Sequence, residues 1–234
     1  TANTTGSSNT AFGYVALAFN TTAASNTAIG ESALRYNTTG ANNTASGIGS
    51  LQSNTTASNN SAFGRLALQA NTTGTANVAM GETPLYTNTT GNFNVGLGNA
   101  ALYANTTASN NTAVGYAALT ANTTGSYNTA LGRSAGAAVT TGIQNTLIGG
   151  LAGDALTDAD HNVAVGHNAL TADTLGSKSV AIGAGALGTQ NFTSATNVHN
   201  IAIGYDAGVA VSTGVQNTLI GGLAGDALTT GKQN

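Results

Sequence analysis

The sequence predicts an all-β fold: a parallel β-solenoid, or β-roll, built from 17-residue coils. Three observations carry this. The motif Asn-[Thr/Val]-Ala-apolar-Gly, with small variations, starts at Asn9, Asn26, Asn43, Asn60, Asn77, Asn94, Asn111, Asn128, Asn145, Asn162, Ser179, Asn200 and Asn217, every spacing being 17 residues except the 21 from Ser179 to Asn200. Self-similarity at a fixed period marks a stack of units that each contact only their neighbours. Second, Gly in every unit and apolar spacing that never holds a 3.6-residue period argue against helix and for short strands of three to five residues between corners. Third, only 6% of residues are charged and 5% aromatic, while Ala, Thr, Asn and Gly dominate around regularly placed aliphatics. That is a low-complexity composition which can still pack. Residues 1–234 thus read as a single solenoid segment of thirteen coils from residue 9, with a four-residue insertion within 179–199. Because the chain opens and closes in mid-repeat, the segment is expected to belong to a longer fibre.

With the Asn of each unit as position one, position five is Gly in every copy: Gly13, Gly30, Gly47, Gly64, Gly81, Gly98, Gly115, Gly132, Gly149, Gly166, Gly183, Gly204 and Gly221. Position fifteen is usually Gly but accepts Ala23, Ala57, Ala108 and Ala159. Position five must therefore lack a Cβ, through positive φ or close backbone approach, whereas position fifteen merely prefers a small residue. Position five is the predicted structural corner.

The interior of so narrow a tube calls for small side chains and one larger plug. Position eight is Ala except at Ser50 and Pro84. Position nine is Leu in nine units and Gly136, Gly153, Gly208 or Gly225 in the other four; only in those four is position twelve apolar, as Val139, Leu156, Val211 and Leu228. Positions nine and twelve are thus expected to fill one space from two sides of a bend, since filling it twice overpacks it and leaving it empty opens a cavity. A lone coil burying the aliphatic of position four, an Ala and a plug gains too little to order 17 residues, so the unit must repeat. Asn at position one is expected to form an axial amide ladder. Positions three and four are both apolar, although neighbouring strand residues point to opposite faces. A monomer buries only one face, so this favours packing of chain against chain, most simply three rods around an axis.

"SVAIGAGAL" at 179–187 resembles the "NSVAIG" coil signature of the YadA-like head of trimeric autotransporter adhesins, with "NTAIG", "NVAVG" and "NIAIG" as variants. The longer unit "NTAVGYAALTANTTG" is similar to repeats of bacterial and phage tail-fibre-like proteins. The resemblance covers essentially the whole chain. It implies a parallel β-roll assembled as a homotrimer, and left-handedness rests on it alone. The adhesin coil is shorter than 17 residues.

Little chemistry stands out. A net charge of −3 gives no electrostatic footprint for nucleic acid. No apolar stretch approaches the ~20 residues of a membrane span. Absence of Cys removes disulfides and thiolate metal sites. "GAGALG" at 183–188, with Asp206 beyond it, mimics a dinucleotide fingerprint, but Gly183 is a corner and no helix is expected to follow. Asp158, Asp160 and His161 form the one acidic turn that offers oxygen ligands to a metal, set against a plain solvated turn, since the sister copy "DALTTGKQN" lacks them. The "NTT" triplets are formal glycosylation sequons or, equally, a turn ladder. Adjacent Thr at positions thirteen and fourteen are expected to face opposite ways, which weighs against an ice-binding face. The insertion is a natural place for a binding loop, with Phe192 and His199 as its surface features. No catalytic constellation and no cofactor are expected. The reading is a structural fibre segment, outside the cell, on its surface or on a virion appendage, giving length, rigidity and display with adhesion to a cell-surface or glycan receptor. The alternative is a solenoid binding surface for glycan or ice.

Overall fold

The computed structural model describes residues 3–234, which fall in two compact units divided after Asn111. Both are stacks of 17-residue coils, and among the described residues there is no helix. The first unit contains β1 (Thr10–Phe12), β2 (Thr27–Ile29), β3 (Thr44–Ser46), β4 (Ser61–Phe63), β5 (Val78–Met80) and β6 (Val95–Leu97), paired in chain order. All pairs are parallel and offset by one coil, so Ala28 lies over Ala45 and Ala45 over Ala62. The second unit contains β7 (Thr112–Val114), β8 (Thr129–Leu131), β9 (Thr146–Ile148), β10 (Val163–Val165), β11 (Gly176–Ser177), β12 (Val180–Ile182), β13 (Thr196–Asn197), β14 (Ile201–Ile203) and β15 (Thr218–Ile220). Its main sheet runs β7, β8, β9, β10, β12, β14, β15, while β11 and β13 pair separately at the insertion.

Each regular coil has a single three-residue strand, at positions two to four. The rest bends, because positions seven, nine and seventeen adopt left-handed backbone; in the coil from Asn26 these are Ser32, Leu34 and Asn42, with φ of 58°, 48° and 59°. Hydrogen bonds still run along the axis on every side of that coil. Thr27, Leu34 and Thr38 donate their N–H to the following coil at 2.9, 3.0 and 2.8 Å, and Gly30, Ser32 and Asn42 donate to the preceding one at 2.8, 2.9 and 3.2 Å. The corner glycines have φ between 120° and 141° throughout. Both expected reasons for Gly apply at once: a Cβ on Gly30 would also lie 2.7 Å from the carbonyl oxygen of Gly47.

The interior holds positions one, three, eight, nine, twelve and fifteen. Position four, expected inside, is outside: Phe12 is 76% exposed and Met80 50%, whereas Ala28, Ala45, Ala62 and Ala79 at position three are fully buried. Strand alternation decides this, because an inward Asn at position one places position three beside it and turns two and four outward. The plug behaves as expected, with Leu34, Leu51, Leu68, Leu85 and Leu102 completely buried. In the second unit the exchange is threefold rather than twofold. A Cβ on Gly136 would meet Leu147 Cδ1 at 2.6 Å, and one on Gly153 would meet Leu147 Cδ2 and Leu156 Cδ1 at 2.8 Å each. Position three therefore enlarges from Ala to Leu147, using the room that two glycines vacate; Leu219 does the same between Gly208 and Gly225. Pro84 fits position eight because the N–H there makes only a long bond within its own coil, 3.3 Å for Ala33 to Gly30.

Two files of buried asparagine complete the core. At position one, Oδ1 of Asn43 accepts the backbone N–H of Asn60 at 3.0 Å, and its Nδ2 donates across the coil to Ala57 O at 2.8 Å. At position twelve, Asn37, Asn54, Asn71, Asn88 and Asn105 each donate Nδ2 to the Oδ1 one coil before, at 2.7–3.0 Å. Buried amides paired in this way fix each coil on the next.

Candidate functional site

Among the described residues there is no enclosed pocket, and the continuous features lie on the outer surface. The most continuous feature is a ridge formed by positions four and six on either side of the corner glycine. In the first unit it carries Phe12, Tyr14, Ile29, Ile48, Phe63 and Met80, 37–76% exposed. Where position four drops to Ser46, the coil supplies Ile48 two residues later. In the second unit the exposed members are Tyr116, Leu131, Tyr205 and Ile220. Charge on the ridge is sparse: Arg65 and Glu82 pair at 3.1 Å, and with both side chains more than half exposed the pair adds little stability. Two aromatic pairs lie elsewhere on the coil. Phe19 stacks on Tyr36 with ring centroids 5.4 Å apart, and Tyr86 on Tyr103 at 5.1 Å. Stacking along the axis occupies the ring faces with one another.

The insertion departs from expectation. Phe192 is 9% exposed and points inward, so it is not a surface feature; His199 is exposed. Phe192 and Val198 anchor the two ends of the loop, and only 193–197 between them stays accessible. Below the loop sits Asp173, fully buried, at position twelve of the preceding coil. Burial pushes its pKa up, and hydrogen bonds from Gln190 and from the backbone of Phe192, Gly176 and Thr174 hold part of that rise back. Neither Asp173 nor Gln190 stands out as chemistry in the sequence. The legible signal was positional: three departures from Asn on the two ladder positions, Asp173, Ser179 and Gln190, occur within two successive coils.

Asp158, Asp160 and His161 do not converge. Asp158 Oδ1 accepts from Thr141 Oγ1 at 2.5 Å and Asp160 Oδ1 from the N–H of Ile143 at 2.8 Å, so both carboxylates serve the preceding coil. Among the described residues no group of three acidic, His or Cys side chains could hold a metal ion. Asp206 approaches Gly185 of "GAGALG" through stacking of one coil on the next. No protein-family model, curated protein or solved structure matches the chain. The "NTT" asparagines from Asn20 to Asn122 are fully buried, which leaves no room for a glycan on the folded coil. The Thr pair also differs from expectation. Both residues lie outside, position thirteen half-buried with its hydroxyl donated to the next coil, as Thr38 Oγ1 to Thr55 O at 3.0 Å, and position fourteen exposed. A bend, not a strand, holds them, so alternation does not apply.

Proposed function

We propose that the chain is a structural segment of an extracellular, cell-surface or virion fibre, assembled as a homotrimer through its apolar ridge and serving length, rigidity and display, with adhesion at the fibre's exposed parts. The observation that carries this reading is the ridge itself. It places an apolar side chain at position four or six of every coil, and the replacement of Ser46 by Ile48 keeps it continuous where position four fails. Contiguous apolar surface of this kind is costly to leave in water and marks an interaction face. A file with one rung per coil suits another copy with the same spacing. The likeness of the coils to YadA-like and tail-fibre repeats supports the same assembly and, by that likeness alone, left-handedness. This role needs no catalytic group, cofactor, nucleic acid or membrane insertion.

Light scattering on the purified chain is the test. A mass of three chains is expected, falling to one folded chain in the double variant Phe63→Lys with Met80→Lys. A folded wild-type monomer would sink the trimer. The exposed Thr file of position fourteen favours a second reading, a binding surface for ice or glycan. Thermal hysteresis or glycan-array binding by that monomer would establish it.

A further inference from the structure

Arg35 has donors that the fold does not use. Its half-buried guanidinium lies over Tyr36, 5.0 Å from the ring centroid, and its Nε is shielded from water with no acceptor in reach. No carboxylate among the described residues pairs with it. A shielded donor left unmet in a folded chain calls for an explanation. Arg35 also opens a file on the outer surface of the first unit. Position ten runs Arg35, Gln52, Gln69, Tyr86 and Tyr103 in five successive coils, with Phe19 and Tyr36 beside its start at position eleven. At one strand spacing per coil the file is about 19 Å long. Gln69 Nε2 donates to Gln52 Oε1 at 3.2 Å, which leaves Gln52 Nε2 and Gln69 Oε1 without a partner among the described residues. Tyr86 stacks on Tyr103 in the following coil, so its other face is turned towards the coil of Gln69. In the second unit position ten holds Thr120, Ala137, Asp154 and Thr171, each followed by Ala. The series of cation, amides and rings is confined to the first unit.

We infer that this file binds an extended acidic glycan, a chain of uronic-acid sugars lying along the solenoid axis. Each part of it answers one part of such a ligand. The Arg35 fork suits a sugar carboxylate. The free amide nitrogen of Gln52 and amide oxygen of Gln69 offer the donor and acceptor that sugar hydroxyls need. The outer face of Tyr86 offers an apolar platform to the C–H face of a pyranose ring. The surface has no enclosed pocket, which suits a long ligand laid along it better than a compact one. Charge agrees as well. All six Asp lie in the second unit, and in the first Glu82 is paired with Arg65, so positions ten and eleven set no acid against a carboxylate. An acidic peptide fits less well, because it finds no main chain to pair with. The carbonyls of Arg35, Gln52, Gln69, Tyr86 and Tyr103 all accept an N–H of the preceding coil at 3.0–3.1 Å. The inference rests on the adhesive part of the proposed function and not on the trimer, since the file lies apart from positions four and six.

Titration calorimetry tests the site with tetrasaccharides of galacturonate, glucuronate and mannuronate, their carboxyl-reduced neutral counterparts, and tetraglutamate. At least one uronate is expected to bind. Its affinity should fall at least about tenfold in Arg35→Gln, as expected for loss of charge-assisted hydrogen bonds. Tyr86→Ala should also weaken it several-fold, and the reduced sugar should bind the wild type as poorly as the uronate binds Arg35→Gln. Both variants keep the coil, since position ten is already Gln52 in one coil and Ala18 in another. Arg133→Gln, on the ridge of the second unit, should leave the affinity unchanged. Binding counted per chain should be the same in the wild type and in Phe63→Lys with Met80→Lys, so failure of the trimer leaves this test standing. Absence of binding by every uronate at millimolar concentration would overturn the inference. An equal loss in Arg133→Gln would reduce it to general charge attraction, and equal binding of tetraglutamate would replace the glycan with an acidic peptide; either result overturns it.

Discussion

The two units solve one packing problem with different chemistry. In the first, position twelve is an unbroken file of amides and position nine an unbroken file of leucines. In the second, Val139 and Leu156 interrupt the amides, Gly136 and Gly153 replace the leucines, and Leu147 enters from position three. The backbone scarcely notices: β8 and β9 pair in the same one-coil offset as β2 and β3. The lesson is that the coil conserves interior volume and corner geometry, and leaves open whether an amide or an aliphatic group fills the middle.

That comparison can be broken most directly where the units agree. Gly30→Ala and Gly149→Ala should each cost about 3 kcal/mol or more, because both place a Cβ on positive-φ backbone against the next coil's carbonyl. Equal losses of denaturation midpoint in the two units are the expected result. The plug comes next. Leu68→Ala in the first unit should cost about 2–5 kcal/mol by cavity formation. Gly153→Leu in the second should cost about 1–3 kcal/mol by overpacking, and adding Leu147→Ala with Leu156→Asn should recover most of it. Failure of that rescue would show that more than volume is conserved. Asn71→Ala should then cost about 1–3 kcal/mol, since it strands the amide partners of Asn54 and Asn88. Last, Ala76→Asn should stabilise the first unit by roughly 0.5–1 kcal/mol, as Asn tolerates the left-handed backbone at φ 56° better than Ala.

Much of this architecture was legible in the sequence, for identifiable reasons. A fixed period of 17 marks a stack of like units, Gly in every unit with no 3.6-residue apolar spacing argues against helix, and thirteen glycines without exception left only a backbone cause. The plug was readable because Leu at nine and an aliphatic at twelve never occur together. The inside and outside of the strand were not, since Ala28 and Ile29 are both apolar and composition does not choose between them. The left-handed positions were hidden as well: position seven is Ser32 in one coil, Leu66 in another and Thr83 in a third, because the fold, not the residue, imposes that backbone. Phe192 and Asp173 were misjudged or missed for a related reason. An insertion suggests a projecting loop, whereas here it delivers an aromatic ring inward, and a single acid among amides looks like ordinary variation until its hydrogen-bond donors are located.

One feature of the asparagine files reaches beyond stability. In both, the donor of each coil points toward its predecessor and the acceptor toward its successor, as with Asn71 to Asn54 and Asn60 to Asn43. The side-chain dipoles therefore add along the axis instead of cancelling, and each unit has a direction in the way a row of magnets does. A coil copied in tandem arrives already poled to match its neighbours, whereas an inverted one would meet donor with donor. The nearly identical blocks 136–157 and 208–229 carry the position-one file in the same direction, through Asn145 and Asn217.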